Sequence, residues 1–323
     1  MLGTGKTTGM RMQFLMDRTA ALLRLREHLS PHSASLRRAA LFVAFLGFAA
    51  GLFWAAESVS SLWTKIALFP LVVLLLIGVP LTISLSAAEY RAMLEAAGSS
   101  VPWRAALEIS IYTSAANMLP IPGGVITRLG GMKARGISIR EGSRLVVLFA
   151  GIWAGTAFSL SGAAIALHNA SFGAVFLGAG LAALILSIQG LHSRGAGRCL
   201  IVKIVLIRTA SQVVEMARLI LAFRALGTVL PFADAAVFAV SSFVGTAVSI
   251  VPAGIGINEG IVALLSPVIG LNPATGFIAA AINRVVVMAG LALVASILLS
   301  LPGHRNKDGV RAQKRTERNS DIA

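Results

Sequence analysis

The chain has 323 residues, of which 56% are hydrophobic and 13% charged, with a formal net charge of +15. So much apolar sequence with so little charge excludes an ordinary soluble domain and points to one membrane domain. The cations flank apolar runs, where they set topology near anionic lipid, and form no stripe for nucleic acid.

Residues 1–38 form a basic leader. Phe14, Leu15, Leu22, Leu25 and Leu29 stand among Arg18, Arg24 and Arg26, the pattern of either an interfacial amphipathic helix or a disordered leader. No cleavable signal is visible, and the first apolar run is long enough to remain as an anchor. Gly3-Thr-Gly-Lys6-Thr7 resembles the end of a phosphate loop, but the earlier glycine and the preceding strand are missing. Cys199 is the single cysteine, which rules out an internal disulfide or a thiolate metal cluster.

A transmembrane domain is expected over 39–301. Full spans fall at about 39–57, 64–87, 145–167, 171–191, 204–226 and 273–301, each near the roughly 20 residues a bilayer requires. Pro70 and Pro80 should kink the second span. The loop 88–104 reads as cytoplasmic. Residues 105–127 are apolar enough to cross, yet Arg128, Lys133, Arg135, Arg140 and Arg144 follow at once. A re-entrant segment turning at Asn117-Met-Leu-Pro120-Ile-Pro122-Gly123-Gly124 keeps that basic cluster on the cytoplasmic side.

A second broken hairpin is expected over 233–268. Its middle, Pro252-Ala-Gly-Ile-Gly-Ile-Asn-Glu259, is interrupted by Pro252, Gly254 and Gly256 and followed by a carboxylate. Irregular backbone at membrane depth requires cover from protein or a watery cavity. The fold class is thus an all-α polytopic membrane protein with about six spans, two broken re-entrant hairpins and both termini cytoplasmic. If the second hairpin crosses fully, there are eight spans. Residues 302–323 read as a basic, disordered tail. Aligning Pro120 with Pro252 matches Pro122 with Gly254 and Gly124 with Gly256, as in an inverted repeat.

Asn117-x-x-Pro120-x-x-x-Gly124-x-x-x-Arg128, followed by Pro252-Ala-Gly-Ile-Gly-Ile-Asn-Glu259, resembles the lysylphosphatidylglycerol synthase transmembrane, flippase-like family. Ala253 stands where family members usually show Gly. The resemblance implies a multi-pass protein of a bacterial or archaeal cell (inner) membrane that moves lipid-linked or amphipathic substrates between leaflets. It covers the membrane domain and does not extend to synthase activity.

Two places offer candidate binding groups. On the fifth span Arg208, Ser211, Gln212, Glu215 and Arg218 share one helical stripe, and a polar stripe in an apolar span must face protein or water. Glu215 is expected to pair with Arg218 or Arg208. On the last span Asn283-Arg284 offers a guanidinium fork suited to phosphate, with Glu259 as its resting partner. Asn117 and Asn258 suit half-helix caps or substrate contacts, and Arg128 either an interfacial anchor or a site residue. Pro120, Pro122, Gly123, Gly124, Pro252, Gly254 and Gly256 mark the helix breaks.

These residues predict a translocator of anionic amphipathic lipid that works without ATP hydrolysis. No catalytic motif, metal set or cofactor motif is visible. The expected partners are membrane lipids with anionic head groups. The alternatives are a non-transporting membrane partner of a separate lipid- or polysaccharide-modifying synthase or transferase, or an intramembrane transferase.

Overall fold

The structure, a computed structural model, describes residues 46–55, 57–58, 66–117, 123–247 and 254–300. The leader, the tail, Pro120, Pro122 and Pro252 lie outside them. The chain divides into two compact units, Met1–Ala39 with Ser296–Ala323, and Ala40–Ala295; the second is described here.

The described residues contain helices and no strands. They are α1 (Leu46–Ala55), α2 (Leu68–Ala96), α3 (Trp103–Ala116), α4 (Gly123–Lys133), α5 (Ile139–Ala166), α6 (Ala170–His192), α7 (Arg198–Ala225), α8 (Phe232–Ala247), α9 (Ile257–Leu265) and α10 (Pro273–Ser300). Four of them, α2, α5, α6 and α10, are long and apolar enough to span a bilayer. With 28 residues α7 is also long enough, and only its polar stripe sets it apart from the other four. The first expected span is described only in part, as α1.

The second span runs nine residues past its expected end at residue 87, because Ala88-Glu-Tyr-Arg-Ala-Met-Leu-Glu-Ala96 contains no helix breaker before Gly98. Instead of a simple proline kink, the helix opens into a π turn over Leu74–Gly78, where Val79 N–H bonds back to Leu74 O. Pro80 follows in the first turn of the resumed α-helix, where its missing donor costs nothing. Both α5 and α7 begin earlier than hydropathy alone indicates. Ser138 caps α5 by accepting from Glu141 N–H at 3.2 Å. Tight small-residue contacts join α5 to α6, among them Gly155 against Leu184, Gly162 against Leu177 and Gly173 against Ala166.

Contacts at the two ends of the bundle fix the directions. Ala67 N–H donates to Ala225 O at 2.9 Å at one end. At the other, Lys203 bonds Glu95 at 2.6 Å. Thus α2 and α7 run antiparallel. The α3–α4 hairpin leaves from the Glu95 end, and Arg128 on its returning arm reaches back to Glu89. The α8–α9 hairpin leaves from the Ala225 end, where Asp234 meets His168 at 3.2 Å. The two broken hairpins enter from opposite ends, as the inverted-repeat reading requires. Their arms are short: α3 has 14 residues, α4 has 11, and the apolar helices Phe232–Ala247 and Ile257–Ile269 have between 10 and 17. Over the described residues none reaches the roughly 20 residues of a full crossing.

Two apolar cores occupy the two ends. One gathers Tyr90, Met93, Leu94, Phe149, Ile152 and Ile204. The other gathers Leu219, Phe223, Phe238, Val262, Phe277 and Ile278. On α7 the polar stripe lies between Ile204 of the first core and Leu219 of the second. The polar layer is therefore sandwiched between two apolar ones.

Candidate binding cavity between the broken helices

In that layer lies a cavity of about 310 Å³. Both hairpins line it, with Ser114 and Asn117 from the first and Ser241, Ser242 and Asn258 from the second. Further polar lining comes from Thr246 on the second hairpin, Glu215 and Arg218 on α7, and Asn283 and Arg284 on α10.

Described residues flanking each break are bonded locally. Asn117 Oδ1 accepts from Gly124 N–H at 2.9 Å, so Asn117 caps α4 across the first break. In the second break Gly254 and Gly256 have φ of 64° and 82°, left-handed values that favour glycine. Gly254 also packs directly on the Gly245 carbonyl, where a Cβ has no room. Glu259 then caps its own helix, accepting from Gly256 N–H at 2.8 Å. The other carboxylate oxygen takes Arg284 Nε, and Arg284 Nη2 donates to Gly254 O at 3.1 Å. Glu259 is fully buried. The expected Glu259–Arg284 pair is thus present, and it fastens the second hairpin tip to α10.

The α7 stripe is arranged differently from expectation. Glu215 forms an ion pair with neither Arg208 nor Arg218. It accepts from Ser242 Oγ at 2.6 Å on the second hairpin. Gln212, with its amide turned to satisfy both neighbours, donates to Glu215 at 3.3 Å and accepts from Trp153 Nε1 at 2.9 Å. Arg208 lies over the Trp153 ring, 4.7 Å from its centroid, and bonds Glu89. Arg128 reaches the same carboxylate at 3.4 Å. Arg218 donates to Thr82 Oγ1 at 2.6 Å, while Ser211 is spent on the Ile207 carbonyl of its own helix.

Of the candidate residues, Asn117, Glu215, Arg218, Asn258 and Arg284 line the cavity. Glu259 and Gln212 stand behind them and hold Arg284 and Glu215 in place. Arg128 faces Glu89 and does not contribute to the cavity wall. The oxygens Asn258 Oδ1 and Asn283 Oδ1, though buried, have no hydrogen-bond partner among the described residues. Unused acceptors beside a polar cavity are groups available to a ligand.

A family model described as the lysylphosphatidylglycerol synthase TM region matches residues 39–295. The chain belongs to this family. No curated protein matches it by sequence. Membership and the apolar helices make it a multi-pass membrane protein linked to lipid handling. The family match spans the described helices through Ala295, including both hairpins and the cavity.

Sequence reasoning missed Glu89, Ser242, Thr82 and Trp153. Glu89 was legible in principle, since the helix-forming run up to Gly98 carries it into the helix. The other three are ordinary apolar-span residues whose roles depend on what packs opposite.

Proposed function

We propose that the chain moves an anionic, amphipathic lipid between leaflets without ATP hydrolysis, holding the head group in the cavity while the acyl or prenyl chains stay in the bilayer. One observation carries this reading: two broken hairpins from opposite ends converge on one polar cavity in an apolar bundle. Such a site is reachable from alternate sides if one hairpin rocks against the other. Polar groups of this kind are costly in hydrocarbon, which argues for use rather than accident. The cations near the Glu95 end (Lys133, Arg135, Arg140, Arg194, Arg198) favour a cytoplasmic placement for that end. The Glu259–Arg284 pair acts as a latch that an incoming phosphate loosens by competing for the guanidinium.

The test is a leaflet-resolved assay in vesicles containing only this protein and fluorescent phosphatidylglycerol. Wild-type protein is expected to exchange label without nucleotide, and Glu259→Gln and Arg284→Gln to lose exchange at least tenfold while still inserting. Undiminished exchange in both variants refutes the latch. No exchange by wild-type protein favours the non-transporting partner.

A further inference from the structure

We infer that Arg218 is the anion receptor of the cavity, and that its surroundings select a phosphodiester head group with one negative charge and hydroxyl donors. The inference rests on the lipid-binding reading of the cavity but not on transfer.

The interior polar layer holds four guanidinium groups, of Arg128, Arg208, Arg218 and Arg284, against three carboxylates, of Glu89, Glu215 and Glu259. Arg128 and Arg208 both bond Glu89, and Arg284 bonds Glu259. Arg218 forms no ion pair among the described residues. Its Nε has no hydrogen-bond partner there, and its residue exposure is 7%. Glu215, one turn earlier, is held by Ser242.

The guanidinium is nevertheless positioned. Thr82 gives its own hydroxyl proton to Gly78 O at 2.7 Å, which leaves its oxygen to accept from Arg218. Gly78 lets the Arg218 stem lie flat on α2, since a Cβ there would come within 2.8 Å of its Cγ. Neutral bonding partners thus seat the cation at the cavity wall, and the Glu215 carboxylate acts on it only through space, which leaves its donors for an external anion. One bound negative charge balances the layer, and two overshoot. The unused acceptors of Asn258 and Asn283 call for donors, which the hydroxyls of a polyol head group supply.

The experiment measures lipid retention by the full chain in phosphatidylcholine nanodiscs, using native mass spectrometry. Phosphatidylglycerol is expected to bind at least tenfold more tightly than phosphatidylcholine or doubly charged phosphatidic acid. Arg218→Gln is expected to abolish this preference without lowering the melting temperature, and Arg218→Lys, which keeps the charge but loses the fork, to retain part of it. Glu215→Gln adds one positive charge and is expected to shift preference toward phosphatidic acid. Soluble inorganic phosphate should not displace the lipid.

An unchanged phosphatidylglycerol preference in Arg218→Gln overturns the assignment. Equal binding of phosphatidic acid by wild-type protein overturns the charge rule, and displacement by inorganic phosphate overturns the lipid source. A binding preference without exchange removes the transfer reading and leaves this one. Exchange with no Arg218-dependent preference does the reverse.

Discussion

Two carboxylates in this bundle are bonded to arginines away from bulk water, and they do different work. Glu89 is 3% exposed and bonded to Arg208 and Arg128. It ties α2 to α7 and to the returning arm of the first hairpin, apart from the cavity wall. Glu259 is 0% exposed and bonded to Arg284. Yet Arg284 lines a cavity whose wall also carries an arginine without an ion pair, and amide oxygens without partners, among the described residues. The same chemical pair is a brace where it stands off the cavity wall, even though Arg208 Nε has no hydrogen-bond partner among the described residues, and a latch where it borders the cavity. Burial of an ion pair therefore does not identify a site; its place beside a polar cavity does.

The largest effect separating the two is expected at the brace. Glu89→Gln strands two arginines in the interior and should lower stability by about 3–5 kcal/mol, read as a fall in the detergent melting temperature and in yield. Replacing Glu89, Arg128 and Arg208 together by Met or Leu should recover most of that loss, because no uncompensated charge remains at the brace.

Gly254→Ala comes next, at about 1–3 kcal/mol, since it combines a left-handed backbone with a clash against the Gly245 carbonyl. The loss should be confined to the second hairpin, visible as faster hydrogen exchange over α8 and α9 than over α3 and α4. The smallest effect belongs to Asn283→Ala, within roughly 1 kcal/mol of wild type, because its Oδ1 has no partner to lose among the described residues. Lipid exchange should nonetheless fall. A large drop in stability there would mean that the amide is structural after all.

The bundle's main course was legible because apolar runs of span length and the placement of cations between them leave few topologies. That the described helices stop at Ala116 and Ala247 and resume at Gly123 and Ile257 was legible for a related reason, as glycine and proline in hydrocarbon require an explanation, although Pro120, Pro122 and Pro252 lie outside the described residues. The Glu259–Arg284 contact followed from two charges that both needed a partner. What sequence left open was partner choice among several nearby charges. Arg208 had Glu215 seven residues along its own helix, yet it took Glu89 from another. Three-dimensional packing decides such a competition, and one-dimensional spacing cannot rank its outcomes. Glu89 itself was hidden by a boundary error, since hydropathy ends at the edge of the apolar run while the helix continues.

The π turn at Leu74–Gly78 amounts to one residue inserted into an otherwise regular helix. Removing a single residue from it, Leu75 for instance, would straighten the segment and turn Leu68–Val73 by about 100° relative to Gly78 and Thr82. The chain could then keep either the Ala67–Ala225 junction or the seat of Arg218, but not both. The extra residue acts as a rotary offset, setting the angle at which one end of the bundle meets its centre.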